Sequence, residues 1–168
     1  MSKVQASIHI DAPKKDVWPA LADFGQIANF NPNVKESHLT AEQPNGRGAT
    51  RHCALTVAGA SIEERIVDWH DGESYSVEIY ESKRVPVVTD MIGALSVDED
   101  GSGTRVTMSI EYGTKYGPLG SLLDRVAIQA QNTKAIRLVL AGLKHYIETG
   151  EEVVSGVRVD TTSVEVAS

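Results

Sequence analysis

Residues 104–149 read TRVTMSIEYGTKYGPLGSLLDRVAIQAQNTKAIRLVLAGLKHYIET, and the spacing of apolar side chains changes within this stretch. Over residues 104–112 they occupy every second position, which predicts a half-buried strand. From Leu119 to Thr149 they recur three, four or seven residues apart without an internal proline, which predicts a helix of about 30 residues and about 45 Å. Gly150 follows as the expected C-cap. A helix of this length can cross a whole sheet.

Six further strands are predicted before this one. Each shows alternating apolar and polar positions, and together they cover residues 4–10, 34–42, 49–57, 62–68, 75–79 and 87–97. Turn sequences such as Asp71-Gly72 leave only short connections between the later strands. Consecutive strands with short connections form an antiparallel meander, so we expect one antiparallel sheet.

Two short helices are predicted between the first two strands. The first carries its apolar residues at helical spacing over residues 17–24, but Pro19 lies inside it, so it begins after Pro13 or is kinked. The second covers Gly25–Asn33. The sequence thus predicts an α+β fold, in which a curved seven-stranded antiparallel sheet wraps around a long C-terminal helix and two short helices follow strand 1.

Residues 1–149 are predicted to form a single domain, with no internal repeat and no linker. Residues 150–168 are rich in Ser, Thr, Val and acidic residues and contain no aromatic residue, so we expect a flexible C-terminal tail. The alternative is pairing at a sheet edge, since Val157 with Val159 and Val164 with Val166 show strand-like alternation.

Composition excludes several classes of function. The chain has 168 residues, 41% hydrophobic and 23% charged, with a net charge of −7, which is unlike the clustered basic face of a nucleic-acid binder. The single cysteine, Cys53, excludes an internal disulfide and a multi-thiolate metal site. We therefore expect a cytoplasmic monomer or homodimer, without nucleic acid and without stable insertion into a membrane, since no apolar stretch reaches about 20 residues.

Alternation also predicts which side chains face the long helix. Taking the more apolar face of each strand as the inner one, and adding the middle of the helix, the inner set includes Arg51, Leu55, Ile62, Glu64, Tyr75, Val77, Ile79, Met91, Met108, Tyr112, Thr133 and Ile136. Most of these residues are apolar. They either fill a solid core or line a cavity for a hydrophobic ligand with a few polar anchors.

Arg51 and Glu64 interrupt this apolar inner surface. A charge that faces the interior is costly unless it is paired or hydrogen-bonded. The two side chains either pair with each other, or present a polar group to the ligand, or form an ion pair at the exposed end of the strands, which would contribute little. If they anchor a ligand, Glu64→Gln and Arg51→Ala should change its affinity without unfolding the protein.

The remaining chemically active residues do not assemble a recognisable site. The histidines, at positions 9, 38, 52, 70 and 145, face outward or lie in loops, and no two have metal-ligand spacing. No serine occurs in a Gly-x-Ser-x-Gly turn and no Gly-rich phosphate loop is present. We therefore expect neither a metal nor a cofactor, and the catalytic residues, if there are any, stay unassigned.

An ordered series of short motifs resembles the START/SRPBCC superfamily. Residues 10–24, IDAPKKDVWPALADF, followed by Asn31-Pro-Asn-Val34, are most similar to its polyketide cyclase/dehydrase and lipid-transport branch. The later motifs come in the same order, as Gly46-Arg-Gly48, Arg51, Glu64-Arg-Ile66, Val85-Pro-Val87, Gly103-Thr-Arg-Val106 and Gly117-Pro-Leu-Gly120. The resemblance covers about residues 3–149. One departure is Asn31, where an aromatic residue is frequent.

The resemblance implies the helix-grip fold, with a deep pocket between the sheet and the C-terminal helix. Members bind hydrophobic or amphipathic small molecules such as lipids and polyketides, so the twelve inner residues become the predicted ligand-binding set. An alternative is a cyclase, aromatase or dehydratase in which Arg51, Glu64, Tyr75 or Tyr112 transfers protons. A third is a protein-interaction module with a collapsed pocket.

Overall fold

The computed structural model describes residues 1–85, 88–114, 127–153 and 157–167. Its strands are β1 (Ser2–Ile10), β2 (Val34–Leu39), β3 (Thr50–Leu55), β4 (Ser61–His70), β5 (Ser74–Lys83), β6 (Val88–Asp100), β7 (Gly103–Thr114) and β8 (Glu165–Val166). Its helices are α1 (Lys14–Ala22), a 3₁₀ helix (Phe24–Asn29) and α2 (Gln129–Thr149). The strands form one antiparallel sheet in the order β2-β3-β4-β5-β6-β7-β1-β8.

The predicted fold class is confirmed. An antiparallel sheet packs against the long C-terminal helix α2, which contacts β1 and β7, and short helices follow β1, as in a helix-grip fold. The core lies between sheet and helix and contains Ile136, Leu140 and Leu143 from the buried face of α2. The helix ends at Gly150, whose φ of 74° and N–H bond to the Tyr146 carbonyl make it the expected C-cap.

The first short helix begins after Pro13, which is one of the two predicted alternatives, and the second differs from the prediction. The first starts at Lys14, directly after Pro13, and keeps Pro19 inside it. The second is a 3₁₀ helix that ends at Asn29 rather than at Asn33. Its early end has a local cause, because the Asn31 side-chain oxygen accepts a hydrogen bond from the backbone N–H of Asn33 and offers the backbone an alternative to a helix.

The long helix approaches the segment after the 3₁₀ helix very closely at Gly142. A Cβ atom placed on Gly142 would lie 2.0 Å from the Phe30 carbonyl oxygen and 3.1 Å from Cδ of Pro32. Only a glycine permits this approach, because neither backbone can move aside cheaply. The contact fixes α2 against the segment that carries Phe30 and Asn31. The predicted beginning of the helix, from Leu119 to residue 126, lies outside the described residues.

The described part of the C-terminal segment contacts the domain. β8 adds an eighth strand beside β1, through the pairs Ala6–Val166 and Ser7–Glu165. Val153 and Val164 are buried, and the guanidinium of Arg137 donates a hydrogen bond to the Thr161 carbonyl. These contacts correspond to the edge-pairing alternative for residues 164–166. With β8, the sheet of the described residues has eight strands rather than the expected seven.

Candidate functional site

An apolar cavity of about 200 Å³ lies between the sheet and α2. Its described lining comes from the 3₁₀ helix and the segment after it, from the inner faces of strands β2 to β7, and from one face of α2. The apolar members are Ile27, Phe30, Val34, Leu55, Ile62, Val77, Ile79, Val85, Met91, Gly93, Ala94, Leu95, Met108, Ile110, Ala135, Ile136 and Val139. The polar members are Asn31, Asn33, Arg51, Glu64, Tyr75 and Asn132. A mostly apolar wall with a few polar groups is typical of a small-molecule site.

Most of the predicted site residues line this cavity. They are Arg51, Leu55, Ile62, Glu64, Tyr75, Val77, Ile79, Met91, Met108 and Ile136. Strands β4 and β5 contribute alternate residues, because successive side chains of a strand point to opposite faces, whereas β6 lines the cavity with the consecutive Gly93, Ala94 and Leu95. Ile79 and Met91 lie where β5 and β6 separate, since the two strands pair only from Ser74–Ser96 to Glu78–Ile92 within the described residues.

Two predicted site residues do not line the cavity. Tyr112 is fully buried near the end of β7, opposite Ser2, and is not among the lining residues. Thr133 lies on another face of α2, where it lines outer grooves together with Gln129. Adjacent helical residues are about 100° apart around the axis, so a cavity that is lined by Asn132 and Ile136 leaves Thr133 to one side.

Sequence reasoning missed several lining residues, among them Ile27, Val34, Val85, Gly93, Ala94 and Val139, and two further groups. Phe30, Asn31 and Asn33 come from the segment after the 3₁₀ helix. Its backbone is irregular, so no periodic pattern indicates which of its side chains point toward the cavity. Asn132 and Ala135 come from α2, where the spacing of three to Ala135 and four to Ile136 could have identified a shared face.

Arg51 and Glu64 form a buried ion pair at the wall of the cavity. They are directly opposite each other on β3 and β4, and Nε of Arg51 lies 2.6 Å from Oε2 of Glu64. The residues are only 3% and 7% exposed, which excludes the interpretation as an exposed pair at the strand ends. Nη1 of Arg51 also donates to the Phe24 carbonyl at 2.8 Å, and the guanidinium lies 3.9 Å from the centre of the Phe24 ring.

Burial and the ion pair together shift the pKa values of the titratable groups around it. Burial acts to lower the pKa of Arg51, but the charge of Glu64 and its hydrogen bond, together with contributions from Cys53 and Tyr75, hold that pKa above its ordinary value. Burial, followed by the negative charge of Glu64, raises the pKa of the Cys53 thiol, whose sulfur lies 3.5 Å from Oε2 of Glu64. Burial also raises the pKa of Tyr75, against the opposing effect of Arg51. Cys53 and Tyr75 are therefore neutral at physiological pH.

An aromatic cluster joins the cavity to α1. The ring of Tyr75 stacks on Trp69 with centroids 5.6 Å apart, and Trp69 contacts Trp18 at 5.2 Å. Nε1 of Trp18 donates a hydrogen bond to the side chain of Asp71 at 3.2 Å. The two tryptophans are not among the lining residues of the cavity, whereas Tyr75 is.

Three asparagines form a polar patch elsewhere on the cavity wall. Nδ2 of Asn33 donates to Oδ1 of Asn31 at 3.0 Å and to the Ala135 carbonyl at 3.2 Å. These bonds tie the segment after the 3₁₀ helix to α2. Asn132, one turn before Ala135, has a buried Nδ2 without a hydrogen-bond partner in the described structure.

The described residues offer no site for a metal, since no group of three or more His, Cys, Asp and Glu side chains among them is placed to hold one. In the same ranges, no helix is long and apolar enough to cross a membrane.

Comparisons with known proteins agree with this fold. The family model described as polyketide cyclase/dehydrase and lipid transport matches residues 1–148. No curated protein sequence matches the chain.

Solved structures share the fold at low sequence identity. TTHA0849 from Thermus thermophilus is 19% identical with a TM-score of 0.72, over 89% of this chain and 99% of that one. XoxI from Bacillus cereus is 24% identical with a TM-score of 0.72, over 89% and 97%. DynU16, a protein in the dynemicin biosynthetic locus, is 17% identical with a TM-score of 0.66, over 90% of this chain and 49% of that one.

Proposed function

The chain belongs to the polyketide cyclase/dehydrase and lipid transport family, and we propose that it binds a hydrophobic or amphipathic small molecule in the cavity between sheet and helix. The observation that carries the proposal is the cavity itself, whose wall is apolar except for a few grouped polar side chains. A solid core would leave no such space. The proposed setting is the cytoplasm, where a reduced Cys53 is the normal state, and the proposed assembly is a monomer or homodimer.

The size of the cavity limits the ligand. An engineered apolar cavity of roughly 150 Å³ in another protein binds benzene, and this one measures about 200 Å³. A ligand with one or two rings, or a short acyl chain, fits such a volume. The separation of β5 and β6 beyond Glu78–Ile92 lets a longer ligand extend past Ile79 and Met91.

An enzymatic function is the second candidate, because Glu64 and Tyr75 both line the cavity. Their surroundings favour binding over turnover. Glu64 is held by Arg51, and burial raises the pKa of Tyr75, whereas proton transfer is most efficient when the pKa lies near the working pH. Product formed from a poly-β-keto substrate, and lost in Tyr75→Phe, would establish the enzymatic alternative.

Native mass spectrometry of the protein as purified from cells tests the proposal, with denaturing extraction to identify any retained molecule. A blocking variant is Gly93→Val, because Gly93 lines the cavity and a Cβ there already lies 3.3 Å from Cγ2 of Val77. Ser96→Val adds a side chain to the outer face of the same strand, where Ser96 lines a surface groove, and serves as the matched control.

We expect an apolar adduct in the unmodified chain and in Ser96→Val but not in Gly93→Val. If mass spectrometry finds no retained adduct, binding is measured instead by calorimetric titration with a panel of fatty acids, sterols and aromatic polyketides. Absence of both adduct and binding would overturn the proposal in favour of a collapsed pocket and a protein-interaction module.

A further inference from the structure

Asn31 has a side-chain amide whose two ends play different roles. The residue lies in the segment after the 3₁₀ helix, lines the cavity and is only 8% exposed. Its Oδ1 accepts from the backbone N–H and from the side-chain amide of Asn33, each at 3.0 Å. Because a backbone N–H can only donate, these bonds fix which end of the Asn31 amide is oxygen and which is nitrogen.

The nitrogen end of this amide is an unused donor. No described residue accepts a hydrogen bond from Nδ2 of Asn31. Unlike Nδ2 of Asn132, which is fully enclosed, this nitrogen keeps accessible surface. Since the residue is more than nine-tenths buried and lines the cavity, a molecule in the cavity can reach the nitrogen. An acceptor oxygen on that molecule would replace the bonds to water that the donor loses on burial.

The charges around the cavity disfavour a charged ligand. Arg51 and Glu64 are the only charged side chains in the described lining, and they pair with each other at 2.6 Å. The outer groove that adjoins the cavity includes Glu81 and Asp90, which repel an anion. A cation inside the cavity would lack a partner, because Glu64 is already paired. The described wall thus favours an uncharged molecule.

We propose that the ligand is an uncharged, largely apolar molecule whose carbonyl oxygen accepts a hydrogen bond from Nδ2 of Asn31. This inference rests on the proposed function and names the chemical class that the same cavity takes. A ketone, ester, lactone or quinone of one or two rings meets the requirement. A hydrocarbon leaves the donor unpaired, a hydroxyl brings a donor of its own that also has to be paired, and a carboxylate adds an uncompensated charge.

Four naphthalene probes that differ in one substituent test this chemistry: methyl naphthyl ketone, ethylnaphthalene, naphthylmethanol and naphthoate. Isothermal titration at neutral pH should show that the ketone binds more tightly than the alcohol and the naphthoate. The carbonyl stretch of the bound ketone, labelled with ¹³C at the carbonyl, should lie below its frequency in an alkane solvent, because a hydrogen bond weakens the C=O bond. Both measurements use the unmodified chain, so they do not depend on whether a variant folds.

Asn31→Asp removes the donor but keeps the acceptor. The carboxylate can still accept both bonds from Asn33, and bonds of this kind favour its ionised form. The ratio of ketone to hydrocarbon affinity should fall about fivefold, the factor that one ordinary hydrogen bond gives. Naphthylmethanol, which can donate to the new carboxylate, should now bind more tightly than the ketone. A merely structural role of Asn31 would not reverse this order.

Asn45→Asp makes the same chemical change at an exposed bend and is the matched control, which should keep the order of the unmodified chain. The inference is overturned, and the proposed function left standing, by an alkane-like carbonyl frequency, by tight binding of naphthoate, or by a frequency shift or ketone preference that survives Asn31→Asp. A retained cellular adduct without a carbonyl group would overturn it as well. If none of the probes binds and native mass spectrometry finds no adduct, the proposed function fails and this inference fails with it.

Discussion

Arg51 and Glu64 cannot be changed one at a time without leaving a charge alone in the interior. The sequence suggested that single substitutions would alter ligand affinity without unfolding the protein, but burial of the pair changes that expectation. Glu64→Gln should lower the free energy of unfolding by about 3–5 kcal/mol, because the guanidinium loses its partner. Arg51→Met with Glu64→Leu should cost much less, since both charges are removed together.

Urea unfolding of Arg51→Met, Glu64→Leu and the variant that combines them, followed by circular dichroism, forms the double-mutant cycle that measures this coupling. Arg65→Gln is the control, because Arg65 forms an ion pair with Glu78 at the surface, where removal costs little. If the single variants lose as little free energy of unfolding as Arg65→Gln does, the interior pair contributes no coupling.

His9 makes the stability depend on pH near neutrality. Its Nδ1 and Nε2 lie 2.9 Å and 3.0 Å from carboxylate oxygens of Asp100 and Asp11. The hydrogen bond with Asp100 is the main cause that raises the pKa of His9 above its ordinary value of 6.5. A pKa that is higher in the folded state means stabilisation that is complete below 6.5 and is lost as the pH rises through the folded-state pKa.

Urea midpoints should therefore fall between about pH 6 and about pH 8 in the unmodified chain, and His9→Gln should flatten this dependence. The side chain is partly exposed, so the effect should be small and should weaken in high salt. A pH profile that His9→Gln leaves unchanged would assign the dependence to other groups.

The sequence predicted those site residues that lie in strands, where alternation indicates which side chains point to the inner face of the sheet. Arg51 and Glu64 were recognised because charges interrupt an apolar face, and such a pattern survives in any correctly paired sheet. Asn132 was missed although it lies four residues before Ile136 on the same face of α2, because an asparagine does not mark an apolar stripe.

Among the secondary-structure elements, α2 depends on one glycine for its position. Alanine favours helices over glycine by about 1 kcal/mol, yet Gly142→Ala should destabilise the protein by at least about 2 kcal/mol. The reason is that the added Cβ would lie 2.0 Å from the Phe30 carbonyl oxygen. Displacement of Phe30 and Asn31 should also weaken ligand binding.

Thermal unfolding of Gly142→Ala measures this loss of stability, and Gly150→Ala is the control at a glycine without a close neighbour. Gly150 has open space around it and a φ of 74°, so its substitution costs only the left-handed backbone, about 1–2 kcal/mol. An increase in the melting temperature of Gly142→Ala would show that helix propensity dominates and that the close approach is unimportant.

The regular elements were predictable and the irregular ones were not. Strands such as β4 and β7 follow from alternation, because one face of each lies against the core. The 3₁₀ helix ended early because hydrogen bonds of the Asn31 side chain compete with a helix, and periodicity carries no information about such bonds. β8 has only two residues, so the alternation of Val164 with Val166 left edge pairing and a flexible tail as alternatives.

For the molecule as a whole, the C-terminal segment covers part of the edge of β1. Removal of residues 157–168 should lower the free energy of unfolding by at most about 2 kcal/mol, because the burial of Val164 is offset by the entropy of ordering the segment. The exposed edge of β1 should then promote self-association, since unpaired strand edges bind other strands.

Sedimentation velocity over a range of concentrations measures the association, and urea unfolding measures the stability. The control is Glu165→Gln in the full chain, which removes only the ion pair with Arg105. A truncated chain that stays as monomeric as the full chain would show that the edge is protected in another way.

The stacking of Tyr75 on Trp69, and of Trp69 against Trp18, has a practical consequence. The chain contains two tryptophans, so its entire indole fluorescence comes from this one cluster. Tyr75 is the member that lines the cavity, so a molecule bound beside it should change the emission and the near-ultraviolet dichroism of both indoles. We therefore expect an intrinsic optical signal of cavity occupancy, with which ligands can be screened without any label.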